Sequence, residues 1–292
     1  MHPQMTCVSC GGSPVKAFEA TDDYLRRDGV VFTYSRCPVC GTYALVNRPE
    51  NLGDYYADDA YYDGTGDASQ DHLRRGLLST FAPWAGGGRM LDIGPGNGAL
   101  LREARNHGFT DQSAVERDAR SCELMRGDGV SVVETADPVA GLDGVEPADA
   151  VVMAHVIEHV EEPMELLTAA ASKVKPGGVL VVATPNPESL SFKVCRSRWR
   201  HVDAPRHLFL LPHAVVADRA RRAGLENVRT TTTDPSGLEC NRGAWWPWAL
   251  NVMPTKRSGH NLDRVVRRSA GILERRGLRG STYTAVFRRP PA

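Results

Sequence analysis

The chain has 292 residues, of which 41% are hydrophobic and 24% are charged, and its 35 basic residues balance 35 acidic residues. This composition is typical of an ordinary soluble globular protein. No apolar run is long enough to span a membrane, and the polar N-terminus does not resemble a signal peptide. The neutral net charge gives no electrostatic reason to expect nucleic acid as a partner.

Four of the seven cysteines form two C-x2-C pairs near the N-terminus. In each pair, Cys7 with Cys10 and Cys37 with Cys40, two thiolates lie on one short turn. Four soft ligands at this spacing favour a structural, tetrahedral Zn2+ ion, and the alternative is a set of disulfides. Because four thiolates leave no open coordination position, we expect no chemistry at the metal. Cysteines used in this way indicate a reducing cytoplasm.

We predict a zinc ribbon over residues 1–48, with strands at Val30–Tyr34 and Tyr43–Val46. A unit of this size cannot bury enough apolar surface alone, so the metal is expected to supply much of its folding energy. In this interpretation the ribbon has a structural or substrate-positioning role. A linker and a first helix follow at residues 49–80, and residues 81–292 form the main domain.

Residues 89–101, R-M-L-D-I-G-P-G-N-G-A-L-L, predict a buried strand that turns directly into a helix. The glycines Gly94, Gly96 and Gly98 permit positive φ angles and let a ligand lie on bare backbone beside the helix N–H groups. The next predicted strand ends at Glu116, where a doubly wound sheet places a carboxylate for ribose hydroxyls. The first two glycines also satisfy the dinucleotide pattern G-x-G-x-x-A, so the loop by itself leaves NAD binding open.

Three further motifs accompany the glycine loop: D-A-V-V-M-A-H at 149–155, K-P-G-G at 175–178 and V-L-V-V-A-T at 179–184. With Asp92 just before the loop, they resemble the class I S-adenosylmethionine (SAM) dependent methyltransferases over roughly residues 75–292. The resemblance implies an α/β fold with a Rossmann-like seven-stranded sheet, one antiparallel strand near its edge, and SAM as the cofactor. It implies the following SAM-binding residues: Asp92, Gly94, Pro95, Gly96, Asn97, Gly98, Glu116, Ala136, Asp137, His155 and Tyr62.

The remaining elements of the domain are predicted from apolar periodicity. A first helix from His72 to Phe81 is expected to be ended by Pro83 and by the glycines Gly86-Gly-Gly88. An insertion at about residues 235–278 carries Trp245, Trp246 and Trp248 and a basic helix at 262–276, and we expect a lid over the acceptor or a dimer contact there. The later strands are predicted at 130–133, 148–153, 179–183, 228–233 and 282–287, the last of which fits the antiparallel strand.

The motif His155-x-x-Glu158-His159 follows the fourth predicted strand. On a helix this spacing puts all three side chains on one face, which suits a metal ion. The same letters mark inverted zincin proteases, but a position at the mouth of a parallel strand disfavours a protease. Some quinone-pathway O-methyltransferases carry Glu-x-x-Glu-His here and bind a divalent ion. Because His155 replaces the first Glu, we keep two hypotheses: a metal ion, or hydrogen bonds that stabilise the loop.

Residues 199–209 are dense in ionisable side chains and follow the fifth predicted strand. Loops at the carboxyl ends of the strands form the site in this architecture, so this segment is predicted to line the acceptor pocket, with an apolar wall of Trp199 and Phe209. His201 and His207 are candidate general bases, because histidine titrates near neutral pH and can take a hydroxyl proton during methyl transfer. His155 and His159 are the next candidates.

The sequence therefore predicts a SAM-dependent methyltransferase that acts on a small-molecule acceptor, and it favours O-methylation in a biosynthetic, secondary-metabolite pathway. Three alternatives stay open: C-methylation of a nucleotide-linked sugar, methylation of a ribosomal-RNA base, and a non-catalytic SAM-binding, zinc-bridged interaction protein. Residues 1–50 contain five basic and five acidic residues, which disfavours an RNA-tracking surface.

Overall fold

The computed structural model describes residues 6–22, 30–56, 71–245, 272–275 and 277–292. The strands are β1 (Val15–Thr21), β2 (Val31–Arg36), β3 (Tyr43–Leu45), β4 (Arg89–Ile93), β5 (Asp111–Glu116), β6 (Ser131–Glu134), β7 (Ala148–Ala154), β8 (Val174–Pro185), β9 (Phe209–Leu210), β10 (Glu226–Thr231) and β11 (Thr282–Arg288). The helices are α1 (Asp71–Ala85), α2 (Ala99–Ala104), α3 (Ala119–Gly127), α4 (Pro163–Ser172), α5 (Leu190–Cys195), α6 (His213–Arg222) and α7 (Pro235–Ala244).

The main sheet has seven strands in the order β10-β11-β8-β7-β4-β5-β6. Strand β11 runs antiparallel to both of its neighbours, whereas β8, β7, β4, β5 and β6 pair in parallel. The predicted Rossmann-like sheet with one antiparallel strand near its edge is confirmed. Its central strands are buried on both faces, as expected for a parallel sheet covered by helices. The loops after β4, β5, β7 and β8 therefore meet at one edge.

The first helix passes through Pro83 and ends at Ala85, directly before Gly86, so the predicted glycines rather than the proline mark its end. Proline removes one backbone donor, and the helix continues for only two residues beyond it. The helix stops at Gly86, whose N–H donates to the Ala82 carbonyl at 3.3 Å and whose φ of 65° breaks the helical conformation.

The ribbon forms a four-stranded sheet in the order β1-β2-β3-β9, and its last strand belongs to the 199–209 segment. Tyr43 pairs with Leu210 and Ala44 with Phe209, and the Leu45 N–H donates to the Leu208 carbonyl at 2.9 Å. Strands β1 and β9 were not predicted. A unit with so little apolar surface cannot complete a core alone, and it completes one here against the main domain.

Aromatic side chains fill the contact between the ribbon and the main domain. Phe192 of α5 lies 5.9 Å from Phe18 and 5.2 Å from Tyr43, measured between ring centroids, and 5.1 Å from Trp199. Phe32, Tyr34, Leu45 and Phe209 are each at most 1% exposed. The two sheets therefore share a hydrophobic core.

Several predictions fall on residues outside the described ranges, among them Tyr62, Trp246, Trp248 and most of the basic helix predicted at 262–276. In the described part of the insertion, α7 ends at Ala244, and the next residue is the buried Trp245, whose indole N–H donates to Glu274 Oε1 at 2.8 Å. Among the described residues, no helix has both the length and the apolar character needed to cross a bilayer.

Candidate functional site

A cavity of about 1340 Å3 opens at the carboxyl edge of the parallel strands. Its walls come from the glycine loop, the end of β5, the segments after β6 and β7, residues 200–208 and one face of α7. Gly98 does not line the cavity, and Tyr62 lies outside the described residues. The predicted SAM-binding residues that line it are Asp92, Gly94, Pro95, Gly96, Asn97, Glu116, Ala136, Asp137 and His155.

The three glycines of the loop have different reasons to lack a side chain. All three have positive φ, between 56° and 74°. A Cβ on Gly94 would come within 2.5 Å of Val156, and one on Gly98 would come equally close to Met125. A Cβ on Gly96 would meet nothing within 4 Å. The outer glycines therefore permit close packing, whereas Gly96 leaves bare backbone in the cavity wall.

Two carboxylates lie beside this loop. Glu116 accepts hydrogen bonds from the Gly96 N–H at 3.0 Å and from the N–H groups of Arg117 and Asp118 at 2.7 and 2.9 Å. Asp92 is buried, and burial together with the nearby Glu116 charge raises its pKa well above the usual range. This end of the cavity therefore accepts hydrogen bonds and favours a ligand with positive charge.

His155 adopts a left-handed conformation at the end of β7, with a φ of 58°. Such strain in a residue other than glycine persists only where the surroundings hold it. Its Nδ1 lies 3.2 Å from Glu158 Oε1, and Glu158 Oε2 accepts from the Thr184 hydroxyl at 2.8 Å. Desolvation disfavours both charges, yet Cys240 and Glu158 raise the pKa of His155, and His155 lowers the pKa of Glu158. His155 is therefore a cation in this pair rather than a base.

His159 and His207 form a second pair, with ring centroids 4.6 Å apart. His159 Nδ1 lies 3.0 Å from the Arg206 carbonyl, and His207 Nδ1 lies 2.8 Å from the His201 carbonyl. Because a carbonyl only accepts, each Nδ1 carries the proton, and each neutral ring keeps a lone pair on Nε2. His207 Nε2 also lies 3.7 Å from Asp203 Oδ2, a carboxylate that can stabilise the protonated ring.

Two histidines of the cavity, His159 and His201, have pKa values below that of a typical imidazole. Burial, followed by the neighbouring His207, lowers the pKa of His159 to about 4. Burial, followed by the charges of His155 and His207, lowers the pKa of His201 to about 3. His201 Nε2 is buried without a hydrogen-bond partner among the described residues. Both rings are neutral near pH 7 and are weak bases.

The donor atoms of Glu158, His159 and His207 lie within 4.8 Å of one another, so these residues could hold a metal ion. His155 does not belong to this group, and the third member is His207, which comes from the 199–209 segment. Glu158 and His159 also form hydrogen bonds of the kind that the alternative hypothesis expects, to the Thr184 hydroxyl and to the Arg206 carbonyl.

The predicted apolar wall of Trp199 and Phe209 is wrong, because neither residue lines the cavity. Trp199 is buried against Phe192, and its indole N–H donates to the Ser191 hydroxyl at 3.0 Å. Phe209 lies in β9 against the ribbon. The ribbon core, which the sequence pattern did not reveal, takes both aromatic side chains.

The sequence analysis missed several cavity residues, and four of them are polar side chains from the linker and from α7. The Tyr56 hydroxyl lies 2.9 Å from His159 Nδ1, and the paired tyrosines of the linker were a signal for it. Ser236, Glu239 and Cys240 line the cavity from α7. Their spacing of three and four residues is the signal of one helix face.

The four ribbon cysteines form a separate cluster in which all Sγ atoms lie within 4.8 Å of one another. The Cys7 and Cys40 sulfurs are 3.5 Å apart, as are those of Cys10 and Cys37. Tetrahedral Zn2+ with Zn–S bonds of about 2.3 Å would place its sulfurs roughly 3.8 Å apart. The donor set and its spacing therefore fit a structural zinc ion.

Known protein families and curated proteins show clear similarity to this chain. Residues 68–230 match a family model described as a methyltransferase domain. A ubiquinone biosynthesis O-methyltransferase of Bordetella avium is 32% identical over 178 residues, which are 57% of this chain and 70% of that protein. The protein of the same name from Cereibacter sphaeroides (strain ATCC 17025) is 30% identical over 177 residues, 56% of this chain and 68% of that protein.

Solved structures resemble the chain at lower identity. A chain from the complex between the Haloferax volcanii Trm112 methyltransferase activator and a methyltransferase aligns with a TM-score of 0.56 and 19% identity, and the alignment covers 84% of this chain and all of that one. A SAM-dependent methyltransferase from Archaeoglobus fulgidus aligns with a TM-score of 0.50 and 20% identity, covering 75% and 94% of the two chains. At these identities the similarity supports the fold alone.

Proposed function

The chain belongs to the methyltransferase-domain family and is a SAM-dependent methyltransferase, and from that premise we propose that it O-methylates a small-molecule acceptor in a biosynthetic pathway. The observation that carries the proposal is one cavity that connects the glycine loop to the His159–His207 pair. The names of the curated relatives support oxygen as the methylated atom.

The glycine-loop end of the cavity fits SAM. A Cβ on Gly96 would project from bare backbone into open space, and the N–H groups at the start of α2 lie beside it. The Glu116 carboxylate ends β5, where it can accept from ribose hydroxyls. Ala136 and Asp137 would lie beside the adenine, and Asp92 would face the cationic part of the ligand.

Glu116→Ala is expected to weaken SAM binding by about tenfold to hundredfold, because it removes charge-assisted hydrogen bonds worth roughly 1.5–3 kcal/mol. Isothermal titration calorimetry measures the affinity directly. Glu134→Ala is the matched control, since Glu134 ends the neighbouring strand β6 but pairs with Arg126 at 3.0 Å and does not line the cavity. Equal affinities for the two variants would refute the assignment of Glu116.

When bound, SAM supplies the methyl group, whose bond to sulfur breaks as the bond to the acceptor oxygen forms. The protein aligns the two reactants and removes the hydroxyl proton. We assign the proton transfer to His207 Nε2, because the Nδ1 bond to the His201 carbonyl fixes the tautomer and Asp203 stabilises the imidazolium. Burial lowers the pKa values of His159 and His201, which makes them weak bases, and His155 is already protonated.

The charges on the cavity wall bear on the class of acceptor. In the described part of the wall beyond the glycine loop, Glu161, Glu162, Glu165 and Glu239 outnumber the arginines, which are Arg117 and Arg200. An excess of carboxylates repels a diphosphate group. This supports a neutral or cationic hydroxylated molecule over a nucleotide-linked sugar.

The experiment that tests this function is methyl transfer from isotopically labelled SAM to a panel of acceptors, with the product examined by nuclear magnetic resonance. We expect an O-methyl signal with a hydroxylated, uncharged acceptor. A C-methyl product from a nucleotide-linked sugar would overturn the proposal, as would the absence of turnover across a broad panel of hydroxylated molecules.

The ribbon is proposed to hold one structural zinc ion through Cys7, Cys10, Cys37 and Cys40. Elemental analysis of protein purified under reducing conditions should give about one zinc per chain, and Cys7→Ser should lower this value, because a neutral hydroxyl is a poor substitute for a thiolate. Cys195→Ser is the control, since Cys195 is a buried thiol outside the cluster. Zinc-free wild-type protein would contradict the prediction.

A further inference from the structure

We infer that the ribbon positions the catalytic histidines, with Tyr34 and the Asp22–Arg206 ion pair as the positioning groups. The inference rests on the proposed function, since it takes His207 as the base. It goes beyond that function by assigning a role in turnover to ribbon residues that do not line the cavity.

The first link is the hydroxyl of Tyr34, a side chain of β2 that is fully buried. It donates to the carbonyl of His207 at 2.7 Å and lies 3.3 Å from the carbonyl of Val202. These two carbonyls flank the turn that carries Asp203. A single ribbon hydroxyl therefore fixes the backbone of the proposed base and closes its loop.

The second link is Arg206, whose side chain is 1% exposed. Its Nη2 lies 2.6 Å from Asp203 Oδ1 and 3.2 Å from Asp22 Oδ1 in the ribbon, and its Nη1 donates to the Tyr55 carbonyl at 3.2 Å. The backbone carbonyl of Arg206 accepts the Nδ1–H of His159. The ribbon thus holds the group that sets the tautomer of His159, and the same ion pair holds the Asp203 carboxylate near His207.

The third link is the pairing of β3 with β9, a strand that begins two residues after His207. The Leu45 N–H donates to the Leu208 carbonyl. The carbonyls of two consecutive residues, His207 and Leu208, therefore accept hydrogen bonds from the ribbon. Strand β2, which carries Tyr34, ends at Arg36, and the next residue is the cluster cysteine Cys37. Tyr34 therefore lies three residues before Cys37 in the chain, and its hydroxyl binds the His207 carbonyl. A well-ordered cysteine cluster should in this way hold the backbone of His207 in place.

These links have a kinetic consequence because proton transfer and methyl transfer both depend on geometry. A displacement of about 1 Å from a distant change can cost on the order of 100-fold in rate. The glycine loop, Glu116 and Asp92 make none of the ribbon contacts described above. Loosening the ribbon should therefore lower kcat and leave the binding of SAM unchanged.

The test is Tyr34→Phe, which removes only the hydroxyl. We expect kcat to fall by about 10- to 100-fold, while the Kd and the KM for SAM, the zinc content and the cooperative unfolding transition are retained. Tyr283→Phe is the matched control, because its buried hydroxyl also donates to a backbone carbonyl, that of Leu211 at 3.2 Å. The control should keep wild-type turnover.

Asp22→Asn is a second variant that weakens the ion pair from the ribbon side, and it should show the same split between kcat and the KM for SAM. Wild-type kcat in both ribbon variants would overturn the inference, and so would an equal loss in Tyr283→Phe. A fall in SAM affinity that matches the fall in kcat would overturn it too, because that result indicates general loosening of the fold.

The failure of this inference is distinguishable from failure of the proposed base. If His207→Ala retains turnover but Tyr34→Phe loses it, the base assignment is wrong and ribbon positioning of the pocket stands. If His207→Ala loses turnover but both ribbon variants keep it, the base assignment stands and ribbon positioning is wrong.

Discussion

Replacing His207 with alanine is expected to lower turnover by about 10²–10⁴ while SAM affinity stays at the wild-type value. The reason is geometric: a hydrogen bond to the His201 carbonyl keeps the proton on Nδ1 and leaves Nε2 as the acceptor of a ring that lines the cavity. Asp203 lies 3.7 Å from that nitrogen and favours the protonated product of the transfer. Initial-rate assays with the acceptor measure turnover, and isothermal titration calorimetry measures the affinity for SAM.

Two matched variants sharpen the test of His207. His213→Ala removes a histidine that pairs with Glu188 outside the cavity, and it should keep wild-type turnover. His201→Ala removes a cavity histidine of low basicity and should cost less than His207→Ala. If His207→Ala keeps near-wild-type turnover, the 199–209 segment only lines the pocket, and His159 becomes the next candidate for the general base.

Arg206→Ala is expected to lower the free energy of unfolding by about 3–5 kcal/mol, the usual cost of leaving buried charges without their partner. The guanidinium is 1% exposed and lies between Asp22, which is fully buried, and Asp203, which is nearly so. Denaturant unfolding monitored by tryptophan fluorescence gives the change. Arg126→Ala is the control, because its pair with Glu134 is about half exposed and such pairs contribute only about 0–1 kcal/mol.

The same ion pair predicts a pH dependence of stability. Burial raises the pKa of Asp203, but His207 and Arg206 outweigh it and hold the pKa below its ordinary value. An acid with a lowered pKa in the folded state stabilises that state above its ordinary pKa, near pH 4, and loses this contribution as the pH falls further. The difference between wild type and Arg206→Ala should therefore shrink below about pH 4. A difference that is constant down to pH 2 would contradict the assigned partners.

The sequence by itself determined the elements whose signals are local. Alternating and continuous apolar runs indicated the strands of the main sheet, because each strand must present buried side chains whichever strands it pairs with. Positive φ angles favour glycine, so the loop of Gly94, Gly96 and Gly98 was visible as a motif. The two C-x2-C pairs were equally local, since each knuckle forms within four residues.

Tertiary structure alone decided which side chains face the cavity and which complete a core. Nothing in the segment 199–209 distinguished Trp199 and Phe209, which pack against the ribbon, from His201 and His207, which line the cavity. That choice depends on a ribbon some 170 residues away in the chain, whose Tyr34 binds the His207 carbonyl. A buried hydroxyl or guanidinium must be satisfied by whatever group the fold brings near it, and the identity of that group is a property of long-range packing rather than of sequence periodicity.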